Sequence, residues 1–235
     1  MKPEAIIHIN HLNYHYPNGY QALRDISLTI NAGEKIALIG QNGAGKSTLL
    51  LHLNGIYAGQ GEININGYAL VKSNLKKIRA KVGLVFQSPD DQLFSPTVFD
   101  DIAYGPIYMG LSPMEIEKRV DQALKDVEML GFSERVTYHL SMGEKKRIAI
   151  ATVLAMQPEI LVFDEPTAGL DPRARRKLIS LIETLPQTLI VATHDLAFAQ
   201  KSFTRVVLMN HGQIMADGDP SELIENNQLL AENGL

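Results

Sequence analysis

The chain has no cysteine, which excludes disulfides and thiolate metal sites and leaves the redox compartment undetermined. It also lacks any apolar run of the ~18 residues that a membrane span needs. The longest apolar stretch beside a strong helix signal is Ile148 to Met156. Met1-Lys2-Pro3-Glu4 begins no secretory signal, so the chain itself is expected to be soluble. No block of Lys and Arg stands out against a net charge of −4, which argues against a nucleic-acid surface. Low-complexity segments and internal repeats are absent too. What remains is ordinary: 235 residues, 45% hydrophobic and 20% charged, enough for one sizeable core in one domain with an insertion.

The most informative segment is Gly40-Gln41-Asn42-Gly43-Ala44-Gly45-Lys46-Ser47-Thr48. It follows the apolar run Ile36-Ala37-Leu38-Ile39 and opens Leu49-Leu50-Leu51, so a glycine-rich turn joins a strand to a helix. Residues without Cβ atoms let the backbone reach positive φ, and its N–H groups then converge on a polyphosphate at the positive end of the helix. Lys46 is expected to reach the β- and γ-phosphates, and the Ser47 hydroxyl to ligate Mg²⁺. A nucleotide site of this kind points to the cytosol.

The texture changes along the chain. Ile7 and Ile9, then Leu12, Tyr14 and Tyr16, read as an antiparallel strand, with a turn at Pro17-Asn18-Gly19 before a second strand from Leu23 to Ile30. Ile63 and Ile65, ending at Asn66-Gly67, signal a further hairpin. From about Ser88 to Met156 the reading is helical: Ser112 and Pro113 suit a cap and first position, and Ile116, Val120, Leu124, Val127 and Leu130 recur at helical spacing. The continuously apolar runs Ile160 to Phe163 and Leu189 to Ala192 suit strands inside a parallel sheet covered on both faces. Val206 to Met209 and Ile214-Met215 form a closing hairpin, and the last helix is expected to begin near Pro220-Ser221-Glu222.

Asp164 and Glu165 end one buried strand, at the carboxyl edge where open parallel sheets hold ligands. Asp164 suits Mg²⁺, directly or through water, and Glu165 the water that attacks phosphorus, since phosphoryl transfer needs positioning and charge stabilisation. Ser141-Met142-Gly143-Glu144 matches a capping box and predicts a helix start.

Leu140 to Glu144, the strand and carboxylates at 160–165, Ala168-Gly169-Leu170-Asp171 and Thr193-His194-Asp195 occur in the order seen in ATP-binding cassette proteins. The resemblance covers nearly the whole chain. Gln87-Ser88-Pro89-Asp90-Asp91-Gln92-Leu93-Phe94, with Asp100-Asp101-Ile102-Ala103-Tyr104-Gly105-Pro106, resembles the energy-coupling factor branch, especially its cobalt and nickel members. The resemblance implies an α/β P-loop ATPase with a central, mainly parallel sheet, an antiparallel β subdomain and a helical subdomain inserted at about 88–157, all within a single ATP-binding domain over 1–235. It implies a transport motor using ATP and Mg²⁺ at the cytoplasmic face of the cell's inner membrane. Its partners would be a second cassette, most simply a homodimer, a transmembrane coupling subunit and a substrate-binding membrane subunit, with no nucleic acid.

Position by position, the resemblance makes Gly40 to Thr48 nucleotide-binding. It places Ser141, Met142, Gly143 and Glu144 against the ATP of the other subunit, with Ser141 and Gly143 donating to the γ-phosphate. Asp171 falls at the subunit junction and His194 at the γ-phosphate. Tyr16 resembles the aromatic that stacks on adenine. Gln87 resembles the residue linking Mg²⁺ and water to the transport partner. Met142 departs from the usual glycine and Glu144 from the frequent glutamine, so a side chain at 142 is expected to crowd the composite site without inactivating it. The chain ends soon after Glu225, without the longer extension typical of vitamin-importing relatives, which favours cobalt or nickel over a vitamin such as biotin.

Smaller signals carry less. An alternating strand sends His8 to one face and His11 and His15 to the other, so no metal cluster is expected there. Lys145, Lys146 and Arg147 read as a solvated helix face near ATP. Phe94, Asp90 and Asp101 are expected on the surface that meets a membrane partner. A DNA-maintenance cassette would need a long coiled coil or zinc-binding cysteines. A small-molecule kinase would lack the segment at 140–144 and His194.

Overall fold

The structure, a computed structural model, describes residues 4–235; Met1-Lys2-Pro3, on which the reading of the chain start rests, lies outside the described residues. Alternating apolar residues pair β1 (Ala5–His15) with β2 (Gln21–Asn31) in antiparallel fashion, Ile7 against Ile30 and Ile9 against Leu28. The strand β3 (Lys35–Ile39), apolar after Lys35, enters the phosphate turn and α1 (Lys46–Leu53) leaves it. Next, β4 (Gln60–Ile65) and β5 (Tyr68–Ala69) complete an antiparallel sheet of order β2-β1-β4-β5. Then α2 (Leu75–Lys81) leads into β6 (Val82–Val85). Three helices follow, α3 (Val98–Met109), α4 (Pro113–Asp126) and α5 (Met142–Leu154), capped by the side chains of Thr97, Ser112 and Ser141.

The chain then returns through β7 (Ile160–Asp164), α6 (Pro172–Thr184), β8 (Thr188–Ala192) and α7 (Leu196–Ser202). It closes with β9 (Arg205–Asn210), β10 (Gln213–Gly218), α8 (Pro220–Ile224) and α9 (Asn227–Glu232). The second sheet runs β10-β9-β3-β8-β7-β6, parallel throughout except where β10 folds back on β9. Its central strands are covered on both faces, which is why they read as unbroken apolar runs. Phe163 packs into the core shared with α3, α4 and α5, whereas Val162 faces the core shared with the antiparallel sheet. Emptying the Phe163 position to alanine would cost roughly 3–5 kcal/mol.

Several local expectations change. β1 stops at His15, which leaves Tyr16 in the turn, where its N–H donates to the Tyr20 carbonyl. A bulge shifts the β1 register between Ile9 and Leu12, and His11 adopts φ 50. The extra residue reverses the alternation, so His8, His11 and His15 are all exposed instead of splitting between faces. His8 pairs with Thr29 and His11 with Asp25, and no group of three metal-ligating side chains occurs among the described residues. Helix α4 ends before Leu130, because Glu128 turns to φ 57 and leaves Leu130 exposed. The helix starting at Pro220 is not the last, since α9 follows it. Among the described residues, no helix is long and apolar enough to cross a membrane.

Candidate active site

The carboxyl ends of four adjacent parallel strands carry the chemistry, as open parallel sheets require. Gly40 to Gly45 follow β3, Gln87 follows β6, Asp164 and Glu165 end β7, and His194 follows β8. A cavity of about 270 Å³ is lined by Tyr16, Asn42 to Thr48, Gln87, Glu165 and His194, together with Tyr20 and Ala22. Gly40, at φ 147, lies so close to the Met209 carbonyl that a Cβ would sit 2.2 Å from it. Gly45 caps α1 at φ 103 with no side chain accepting from the first turn, so those N–H groups face the cavity as donors for an anion. Lys46 is buried and donates to the carbonyls of Gly40 (2.7 Å) and Gln41 (3.1 Å), closing the loop upon itself. Burial pulls its ammonium below the ordinary lysine pKa, opposed by Glu165 and Asp164. Gln41 itself turns away from the cavity and donates to the Asn233 carbonyl at 3.0 Å.

Glu165 is buried, in the left-handed region at φ 43. Its Oε2 lies 2.9 Å from His194 Nδ1, and its Oε1 lies 3.9 Å from Lys46 Nζ. Burial pushes the Asp164 carboxyl up, opposed by a hydrogen bond from Ser47. Asp164 Oδ1 and Glu165 Oε1 are buried without a hydrogen-bond partner. Unsatisfied carboxylate oxygens cost free energy, so these two are poised for a cation or a water. The oxygen donors Ser47, Asp164 and Gln87 fit Mg²⁺, which takes few protein ligands and fills its octahedron with phosphate and water.

Tyr16 is half-buried at the cavity mouth, its hydroxyl 2.9 Å from that of Thr48. Tyr20 lies nearly parallel to it, at an interplanar angle of 18° with ring centroids 6.4 Å apart. The sequence reading missed Tyr20, whose exposed place beyond a turn carries no periodic signal.

A separate cavity of about 420 Å³ collects Ser141, Met142, Gly143, Glu144, Gly169 to Asp171 and the cations Arg147, Arg173 and Lys177. Ser141 forms the capping box, its Oγ donating to Glu144 Oε2 at 2.7 Å. The Ser141 hydroxyl and N–H hold the Glu144 carboxyl below its ordinary range. Asp171 caps α6, accepting from the N–H groups of Arg173 and Ala174. Gly143 lies where α5 meets α6, and a Cβ there would sit close to that of Ala174, at 3.1 Å.

Two expectations are overturned here. Asp101 is not on the surface. It is 3% exposed, and its oxygens accept from the backbone N–H of Phe94 (3.0 Å) and Ser95 (2.9 Å) and from the Thr137 hydroxyl (2.9 Å). It holds the loop that leaves Phe94 exposed. Nor is the run 145–147 a solvated face: Lys146 is 5% exposed, and Lys145 pairs with Asp90 at 2.6 Å. The signal was available, because Lys146 shares a helical face with the buried Ala149, Ile150 and Val153.

Known proteins share this fold. The model of the family described as ABC transporter matches residues 23–168, and the chain belongs to that family as one of its ATP-binding ATPases. It is 49% identical to the energy-coupling factor transporter ATP-binding protein EcfA of Carboxydothermus hydrogenoformans, over 97% of this chain and 86% of that one. Among solved structures, cbiO1 from Clostridium perfringens, part of the ABC transporter complex cbiONQ, superposes with a TM-score of 0.86 at 38% identity, covering 97% of this chain and 94% of that one. An ATP-binding cassette dimer in a post-hydrolysis state, bound to ADP and Pi, matches with a TM-score of 0.83 at 28% identity, over 91% of this chain and 98% of that one.

Proposed function

We propose that this ATPase is the motor of an importer of the energy-coupling factor type, working as a head-to-tail cassette dimer, most simply of two identical chains, beneath membrane subunits. One observation carries the reading: the phosphate turn, Ser47, Gln87, Glu165 and His194 line one cavity, while Ser141, Gly143 and Asp171 line another. A nucleotide is enclosed only when the first cavity of one copy meets the second cavity of another. The whole chain then acts as one ATP-binding unit, with the helical segment of about 88–157 as its insertion.

In this reading Tyr16, with Tyr20 beside it, receives the adenine. The first turn of α1 and Lys46 hold the phosphates. Glu165 polarises the attacking water, and His194, oriented by Glu165, meets the γ-phosphate. Ser47, Asp164 and Gln87 would hold Mg²⁺, which when bound offsets charge on the phosphate oxygens. Ser141 and Gly143 donate from the opposite chain, after the Ser141 hydroxyl leaves Glu144. Met142 is half exposed and borders the second cavity, so it meets the incoming nucleotide face.

The surface offered to a membrane partner is apolar. Phe94 is 69% exposed and packs edge-on against Tyr104, with ring centroids 5.2 Å apart; Ile107 and Tyr108 are exposed farther along α3. Such a patch supports docking on membrane subunits at the cytoplasmic face. We assign cobalt or nickel as the cargo, supported by the likeness to cbiO1 and by the segment Gln87 to Phe94; a vitamin is the second reading. Co-expression with membrane subunits of an energy-coupling factor importer tests the assignment. Phe94→Ala should abolish ATP-dependent uptake of radioactive Co²⁺ or Ni²⁺ while the isolated dimer still hydrolyses ATP. Uptake of biotin instead of metal would reverse the cargo, and undiminished uptake by the variant would move the docking surface elsewhere.

A further inference from the structure

Lys146 is a buried cation on a helix whose first residues belong to the second cavity. Its Nζ donates to the backbone carbonyls of Gln87 at 3.2 Å and Glu165 at 3.3 Å, both of which border the first cavity. Burying an ammonium is unfavourable unless its donors and charge are matched, so a mere space-filler would not be a lysine here. Asp164 and Glu165 supply the matching charge, and Lys46 faces Glu165 from the phosphate loop.

The surrounding contacts define what moves together. Gln92 Nε2 donates to the Ala149 carbonyl at 2.7 Å and the Thr152 hydroxyl at 2.8 Å, and Lys145 pairs with Asp90 at 2.6 Å. The loop after β6 is thereby fastened to α5 along most of the helix. Of these contacts, only the one made by Lys146 also reaches the end of β7. Any displacement of the amino end of α5 is therefore delivered to the backbone that aims Glu165 and Gln87.

We propose that Lys146 is a positioning residue that couples the two ATP sites of the dimer. When Ser141 and Gly143 of one chain close on the ATP of its partner, Lys146 carries the shift through main-chain carbonyls to that chain's own Glu165 and Gln87. The proposal rests on the head-to-tail dimer described above. Main-chain acceptors suit the task, because their positions follow the strand and loop and do not depend on side-chain rotamers.

The test uses the full chain and three variants, Lys146→Met, Lys146→Gln and Lys146→Arg, comparing kcat, KM, the Hill coefficient for ATP and thermal stability. Lys146→Met should lower kcat roughly 5- to 150-fold, the range of ordinary coupling energies, and bring the Hill coefficient towards one. KM should stay near that of the parent while Tm falls, because removing one member of a buried charge cluster leaves Asp164, Glu165 and two carbonyls without their partner. Lys146→Arg, which keeps the charge and donors, should recover part of kcat and of the cooperativity. Parental kcat and Hill coefficient in Lys146→Met would overturn the proposal. If that variant does not fold, Lys146→Gln is judged by the same criteria. A rise in KM alongside the loss of kcat in both, or failure of both to fold, would overturn it in favour of a structural prop. A parent chain whose rate per subunit is unchanged by dilution would refute the dimer itself, an outcome distinct from any behaviour of the variants.

Discussion

At the scale of single residues, Glu165 combines burial, an unpartnered carboxylate oxygen and a left-handed backbone. A non-glycine residue in that region costs on the order of 1–3 kcal/mol and persists only where its surroundings over-determine it. Here the Glu165 N–H donates to the Ala192 carbonyl, Lys146 donates to the Glu165 carbonyl, and the side chain contacts His194. The strain aims a carboxylate at the phosphate cavity, beside Lys46. Glu165→Gln keeps the shape and the hydrogen bond from the His194 N–H but removes the charge. Turnover should fall on the order of 10²-fold or more, while equilibrium binding of a fluorescent ATP analogue stays near that of the parent. Hydrolysis close to the parental rate would place the general base elsewhere.

At the scale of elements, Asp101 decides the shape of the loop before α3. Its carboxylate gathers two backbone N–H groups and the Thr137 hydroxyl, so it ties the loop at Phe94 to the segment that precedes α5. Asp101→Ala would strand those donors. The expected loss is about 3 kcal/mol, or roughly 10 °C in Tm for a domain of this size, read by thermal melts. A Tm within experimental error of the parent would show that water replaces the carboxylate without penalty. An Asp101→Lys exchange, by contrast, would bury a cation against N–H donors and unfold the loop, so it reports on stability and not on docking.

At the scale of the whole molecule, no residue of the second cavity lines the first. The composite-site reading therefore makes ATP hydrolysis a property of the dimer, and specific activity should rise with protein concentration until the dimer saturates. Sedimentation in parallel with rate measurements checks this: the half-maximal rate should coincide with half-maximal dimer. The Ser141 hydroxyl is held by Glu144 in the isolated chain, which leaves its donation to an incoming phosphate to be gained on closure.

Local sequence determined the phosphate turn, the cap at Ser141, the buried character of β7 and β8 and the carboxylates at their edge, because glycine conformations, capping and apolar runs are properties of neighbouring residues. The resemblance to cassette ATPases came from the order of such segments. Tertiary structure alone decided the rest. A single bulged residue in β1 reversed the facing of its histidines, and Glu128 ended α4 before the apolar period ran out. Asp101 and Lys146 look like surface charges when read one residue at a time. They are interior because donors and acceptors from distant segments converge on them: Phe94 and Thr137 on one, Gln87 and Glu165 on the other. Whether a charge is solvated or buried depends on which partners the fold delivers, and that information is not local.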